Sequence, residues 1–306
     1  MLSTKRKLAI ARALNRAIVG ARTIVGLSSR VTVRRHNVKW ELDLDEGIDL
    51  AIYLGVYQHI PKRAVQWIPR GSLVIDVGAN IGAHALPLAH DVDGHVVAIE
   101  PTDYGFSRLK ANAALNPHLH PRLILVQAAL TAGGRSADSK DSIQFYARWP
   151  LDGDGPDRHG KHLGKLETAK GARFLSLDTL VGEIRTKHGL EKPVAFIKLD
   201  VDGAELDVLR GATQILTSER PLVLIEIAPY QQDEISPERF SELLEILRGH
   251  RYSLQKSRSG QSLPMSASAL RRLISNGAGI DVIAYHPLEH DPFILNHIRT
   301  SSPSLS

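Results

Sequence analysis

The run of apolar and polar positions divides the chain into a basic helical arm, a rhythm of apolar strands and helices, and one stretch without rhythm. From Lys5 to about Val25, the apolar residues Leu8, Ala11, Leu14, Ile18, Ala21 and Val25 recur at helical spacing with arginines between them. Val38–Leu44 alternates apolar and polar as a half-buried strand does, Glu46-Gly47 reads as a turn, and Ile48–Tyr57 is mostly apolar. The regular part then begins. Leu73–Val77 (LVIDV) is a buried strand ending in Gly78, and a short helix is expected from about Ile81 to Ala89, kinked or shortened by Pro87. His95–Glu100 is a second strand, Phe106–Leu115 a helix closed by Asn116-Pro117, and Leu123–Ala129 a third strand.

Residues 131–172 break this pattern. They hold a strand at Ser142–Ala147 and then a Gly-, Asp- and His-rich run, LDGDGPDRHGKHLGK, with no apolar period. A long irregular segment inside a regular chain reads as a lid or substrate loop. Order returns with Phe174–Leu177, the fourth core strand Val194–Leu199 and a helix over Ala204–Leu216. The fifth strand Leu222–Ile227 is stopped by Pro229, and a helix follows at Phe240–Leu247. Tyr252–Lys256 and Ile280–Tyr285 are expected as a closing pair of edge strands. Strands alternating with amphipathic helices predict an α/β fold with a Rossmann-like, doubly wound, mostly parallel sheet covered on both faces. The expected divisions are a basic helical arm over 1–37, a lead-in strand and helix over 38–72, a main domain over 73–290 and a frayed tail over 291–306.

Composition changes the picture at two points. An apolar share of 43% and a charged share of 23% suit an ordinary soluble protein, and no run reaches the ~18 apolar residues of a membrane span. Without cysteine, disulfides, thiolate metal sites and cysteine nucleophiles are excluded, which is compatible with the reducing cytoplasm. The net charge of +5 is unevenly placed: residues 1–40 carry ten Lys and Arg and no acid, while the rest carries 28 basic and 33 acidic groups. The acidic body argues against a nucleic-acid partner. The arm is read first as a helix packing its apolar stripe on the body or on a second subunit. Residues 1–30 also fit an anionic membrane surface or a transit peptide, whereas Arg12 and Arg16 interrupt the apolar region of a secretory signal.

In such a sheet the ligand lies beyond the carboxyl ends of the strands. That places the site at 76–82, 100–103, 127–130, 200–205 and 226–230. The first loop reads Asp76-Val-Gly78-Ala-Asn80-Ile-Gly82, whose G-x-x-x-G spacing differs from the G-x-G-x-x-G of dinucleotide folds. An acid two residues before the first glycine repels pyrophosphate and suits a cation with an amine and a sulfonium. Glu100 ends the next strand, where it can accept from both ribose hydroxyls. S-adenosylmethionine is therefore the expected cofactor, with Asp76, Gly78, Asn80, Gly82, Glu100, Gln127 and Ala128 as its binding residues. The alternatives are an NAD-dependent oxidoreductase on the same sheet and a membrane-surface module using the basic arm.

The runs VIDVGANIGAHALPLA, AIEP at 98–101, SLDTL at 176–180, FIKLDVDGAELDVLRGA at 196–212 and RPLVLIEI at 220–227, in that order, resemble the FkbM family of methyltransferases. The likeness covers about residues 73–230, and WELDLDEGIDLAIYLGVY resembles segments preceding the domain in relatives. It implies a class I methyltransferase fold, S-adenosylmethionine as donor, and O-methylation of a sugar, glycan or polyketide hydroxyl. Two departures stand out. Asp200-Val-Asp202-Gly203-Ala-Glu205 replaces the more usual D-x-E-G-x-E, and Tyr57-Gln58 stands where Tyr-Glu is frequent.

Methyl transfer requires donor and acceptor in line and a weakened hold on the acceptor proton. Asp200, at the end of the fourth strand, is the first candidate. Lys198, two positions earlier, shares its strand face and reads as its ion-pair partner, with a base role as the rival. His84 is a candidate base in the helix over the cofactor. Asp202, Glu205 and Glu226 join Asp200 at one edge, which leaves a divalent cation open although no metal site is assigned. For Glu205, in the first helical turn, capping is the preferred role. Trp149, His159 and His162 are candidate acceptor contacts.

Overall fold

The computed structural model describes residues 4–57, 60–133, 144–151, 158–161 and 163–290. It opens with the helix Thr4–Ile24. Strands β1 (Arg30–Arg35) and β2 (Val38–Asp43) form a hairpin. His36 and Asn37 fill its two-residue turn at φ 49 and 61, the left-handed values such turns require. The basic β1 was not foreseen. After short helices at Gly47–Tyr53 and Lys62–Trp67 come β3 (Leu73–Val77), β4 (His95–Ile99) and β5 (Leu123–Val126).

The expected third strand is in fact two. It breaks at Gln127, and β6 (Ala128–Leu130) leaves the main sheet. A hairpin of β7 (Gln144–Arg148) and β8 (Lys165–Thr168) follows, then β9 (Arg173–Leu175), which pairs with β6. The remaining strands are β10 (Val194–Leu199), β11 (Leu222–Ile227), β12 (Ser253–Lys256), β13 (Ser262–Leu263) and β14 (Ile280–Tyr285).

The eight-stranded sheet runs β13-β12-β14-β11-β10-β3-β4-β5. Its strands from β11 to β5 are parallel, and β14 enters antiparallel between β11 and β12. The doubly wound, mostly parallel architecture is the expected one. The closing pair forms as read, but β14 is interior and the edge is the short β13. Chain order reverses between β3 and β10, so the crevice opens at their carboxyl ends.

Strand alternation sorts the core into two layers. Leu73, Ile75, Val77, Ile197 and Leu199 face one layer with Leu180, Leu206 and Leu243; Val74, Val96, Phe196 and Leu224 face the other with Trp40, Leu86 and Leu109. By the same alternation Asp76 and Lys198 belong to the second face, and they are direct register partners on adjacent strands.

Two helices differ from expectation. The segment after Gly78 turns through 81–84, and the helix spans Ala85–Asp91, so Pro87 lies in its first turn, where a missing N–H costs little. Ala204–Leu216 forms two helices, Glu205–Arg210 and Thr213–Ser218. They part at Gly211, where a Cβ would meet the Thr131 carbonyl at 2.3 Å.

The N-terminal helix lies on the body. Leu8, Ala11, Ile18 and Val19 pack around Leu44, Leu50 and Leu151. Asn15 Nδ2 donates to the Leu44 carbonyl at 2.8 Å, and Arg12 Nε donates to that of Leu151 at 3.0 Å. Of the stripe expected to pack on the body or on a second subunit, Leu8, Ala11 and Ile18 pack on the body, whereas Leu14, Ala21 and Val25 remain exposed. No described helix is long and apolar enough to cross a membrane. The expected tail and much of the irregular segment, His162 included, fall outside the described residues.

Candidate functional site

Two clefts meet where β3 and β10 end. The first, open to solvent, has a floor of Val77–Asn80, Glu100, Ala128–Leu130 and Asp200–Asp202. Phe145, Tyr146 and Trp149 from the β7 hairpin and Tyr57 from the lead-in cover it. The second runs toward β11 and β14 past Glu226, Ser257, Arg258 and Asp281. Four residues line both: Tyr57, His84, Lys198 and Asp200.

The floor is tight because glycine permits it. Gly78 has φ +80, and a Cβ there would meet the Asp200 carbonyl at 2.0 Å, so the first loop packs directly on the fourth-strand loop. Asn80 is also left-handed, at φ 49. Its N–H donates to Glu100 Oε2 and its side-chain amide donates to the Ala147 carbonyl, both at 2.9 Å. That second bond ties the roof hairpin to the floor. Glu46 anchors the hairpin from outside, accepting from Arg148 Nε at 2.8 Å and from the Trp149 N–H at 3.1 Å.

Glu100 lines the cleft with part of its capacity already taken. Its Oε1 accepts from the Thr102 N–H at 2.9 Å and from the Thr102 hydroxyl, and its Oε2 accepts from Asn80. A carboxylate has about four acceptor positions, so one remains, on Oε2. Glu100 thus offers a ligand less free acceptor capacity than its sequence position suggests. Burial raises its pKa, against the lowering effect of these hydrogen bonds.

Three other sequence candidates stand back from the cleft wall. Asp76 is wholly buried beneath the floor, and its two oxygens have no hydrogen-bond partner among the described residues. Its neighbour is the Lys198 ammonium at 3.7 Å, through which it acts on the cleft. Burial raises the Asp76 pKa despite that cation. Gln127 points away because its Nε2 donates to Asp103 Oδ1 at 2.7 Å, bracing the end of β5. Gly82, at φ +92, makes room for Leu86 and Leu109 rather than for a ligand. Gly78, Asn80, Glu100 and Ala128 do line the cleft.

At the junction, Lys198 is buried and holds Asp200 Oδ2 at 3.1 Å. Burial alone would lower its pKa, but the Asp200 and Asp76 carboxylates outweigh burial and raise it. That direction suits the ion pair with Asp200. Asp200 keeps 41% of its side chain exposed, at the mouth of both clefts. His84 Nε2 lies 3.1 Å from the Tyr57 hydroxyl, whose pKa burial raises. In the sequence Tyr57 stands out only through the Tyr57-Gln58 departure, and its pairing with His84 across 27 positions leaves no local signal.

The acidic edge does not gather into one centre. Glu205 turns inward and accepts from the Val201 N–H at 3.1 Å, the Gly203 N–H at 3.1 Å and Gln232 Nε2 at 2.6 Å, so it braces the loop before its helix, whose N-terminus carries no side-chain cap. Burial pushes its pKa up to about 7. Asp202, left-handed at φ 48, accepts from Gln231 Nε2 at 3.2 Å. Burial, then the charges of Asp200 and Glu205, raise its pKa. Among the described residues no three His, Asp or Glu side chains are placed to hold a metal. Trp149 lines the roof; His159 instead pairs with Glu234 Oε2 at 2.9 Å.

These residues fit a cationic nucleoside donor better than a diphosphate. The first cleft is lined by Glu100, Asp200 and Asp202, and its one lysine is already paired with acids. One of those acids, Asp76, lies wholly buried under the floor. The helix after the first loop starts only at Ala85, beyond the glycines.

Comparison with known proteins agrees in kind. The profile described as the methyltransferase FkbM domain matches residues 76–254. A hexuronic acid methyltransferase, AglP, of Haloferax volcanii is 29% identical over 206 residues, which is 67% of this chain and 72% of that protein. Similar solved structures include the FkbM methyltransferase of Methylobacillus flagellatus, at 15% identity over 72% of this chain and 45% of that one, TM-score 0.40. TYW2 of M. jannaschii, solved with AdoMet, is 13% identical over 84% and 85% of the two chains, TM-score 0.40.

Proposed function

Since the chain belongs to the FkbM methyltransferase family, we propose that it transfers a methyl group from S-adenosylmethionine to an oxygen of a sugar or sugar acid. One observation carries the reading: the two clefts join at Tyr57, His84, Lys198 and Asp200, as a donor site and an acceptor site must. The named activity of the Haloferax relative on a hexuronic acid supports a sugar acceptor.

When bound, S-adenosylmethionine supplies a methyl group on a positively charged sulfur. The residues that would hold it are the Gly78–Asn80 backbone, Glu100 toward one ribose hydroxyl, and Ala128. Asp200 faces the junction and accepts the hydrogen bond, and then the proton, of the acceptor hydroxyl. Lys198 fixes that carboxylate and balances Asp76 beneath it. His84 and Tyr57 close the side of the junction and position the acceptor. Phe145, Tyr146 and Trp149 exclude water and present apolar faces to the ligand.

Calorimetry with S-adenosylhomocysteine and with NADH tests the donor site first. Binding of the former alone is expected; binding of NADH alone would favour the oxidoreductase reading. Screening labelled methyl transfer onto free sugars, uronic acids and glycans then tests the acceptor. Label appearing only on nitrogen or carbon would overturn the oxygen assignment.

A further inference from the structure

The N-terminal helix has a second apolar face. Leu8, Ala11, Ile18 and Val19 cover the body. Ile10, Leu14, Ala17, Ala21 and Ile24 follow one another by four, three, four and three residues, so they form a separate line along the helix. All five are exposed, Ile10 by 50%, Leu14 by 42% and Ile24 by 86%. Val25 and Leu27, also exposed, extend the stripe past the helix end. Single exposed apolar residues are ordinary, whereas a continuous stripe marks a contact surface.

The charge of the same N-terminal segment selects the partner. Residues 1–40 contain ten Lys and Arg and no acid, and Arg16, Arg30, Arg34 and Lys39 are exposed. A second copy docked by twofold symmetry would press two such cationic segments together. A nucleic acid would engage the cations and leave the apolar line in water. An anionic bilayer surface satisfies both, taking the apolar face into the boundary layer and the cations among its headgroups.

We propose that helix Thr4–Ile24 docks the protein on an anionic lipid surface through Ile10, Leu14 and Ile24. The docked helix bears on the clefts: Arg12 holds the carbonyl of Leu151, two residues beyond Trp149 in the roof.

Co-sedimentation of the full chain with phosphatidylcholine vesicles, with and without phosphatidylglycerol, tests this. Binding is expected only with phosphatidylglycerol and weakens as salt rises. The double variant I10D/L14D, altered only at exposed positions, should bind at least about tenfold more weakly. Arg16→Glu should bind severalfold more weakly. Circular dichroism and S-adenosylhomocysteine binding of the variants serve as folding controls. The proposal is overturned if anionic vesicles do not sediment the wild type or if I10D/L14D sediments as wild type does. It is equally overturned if light scattering shows a dimer that I10D/L14D dissociates.

Discussion

The loops after β3 and β10 leave the middle of the sheet side by side, and they treat their acids in opposite ways. After β10, Glu205 is fully engaged by its own loop and by Gln232, so its sequence motif serves the fold. At the end of β3, Asp76 is as deeply buried but makes no close hydrogen bond among the described residues, and the Lys198 ammonium, with the nearby Ala85 N–H, offsets its charge. Asp200 stands between these cases, paired with Lys198 and still open to the clefts. A cluster of carboxylates in sequence thus says little about which one meets a ligand. What separates them is where each carboxylate is left: Glu205 is closed in by its own loop and Asp76 lies under the floor, whereas Asp200 opens on both clefts.

The largest expected effect breaks the link between the loops. Lys198→Met removes the one cation shared by Asp76 and Asp200 and leaves a buried carboxylate unbalanced. Denaturant unfolding should show a loss of about 3–5 kcal/mol. A loss below about 1 kcal/mol would mean that Asp76 does not depend on Lys198.

Glu205 sharpens the comparison through pH. Its pKa rises from 4.5 to about 7 on folding, so between those values the folded protein keeps a proton that the unfolded chain has lost. The contribution to stability therefore falls as pH rises through this window, by up to about 3 kcal/mol. Glu205→Gln should remove that slope, measured as the difference from wild type in unfolding free energy from pH 4.5 to 8. An unchanged slope would show that Glu205 titrates normally in the fold.

Asp200 is the acid that chemistry should need. Asp200→Asn keeps the shape and the half-exposed position but cannot take a proton. Turnover should fall about a hundredfold, roughly 2.7 kcal/mol, with S-adenosylhomocysteine affinity within about threefold of wild type. If turnover persists, the His84–Tyr57 pair is the place to look for the base.

The division between loops also explains how much was legible in the sequence. β3, β10, β11 and β14 match their expected limits because interior strands are continuous apolar runs between turn formers. The break at Gln127 was hidden, since LILVQAAL reads as one apolar strand. What splits it is the distant pairing of β6 with β9 and the Gln127–Asp103 hydrogen bond. The clefts followed from strand order, and Gly78, Asn80, Glu100, Lys198 and Asp200 from the motifs. That Asp76 lies under the floor depends on its register with Lys198, two strands separated by more than a hundred residues. No local pattern carries that information.

The smallest expected effect concerns a third loop, after β4, where one acid is shared between fold and ligand. The Thr102 hydroxyl accepts from the Gly105 N–H at 3.1 Å, capping the helix Asp103–Ala114, and donates to Glu100 Oε1. Thr102→Ala removes the cap and should cost about 1 kcal/mol in thermal or denaturant unfolding. Glu100 keeps the Thr102 and Asn80 N–H groups, so the Oε2 position left for a ribose hydroxyl is undisturbed. S-adenosylhomocysteine affinity should then change less than about threefold, under 0.7 kcal/mol. A tenfold loss at unchanged stability would reverse the assignment, because the hydroxyl would then be aiming the carboxylate at the ligand rather than holding the helix.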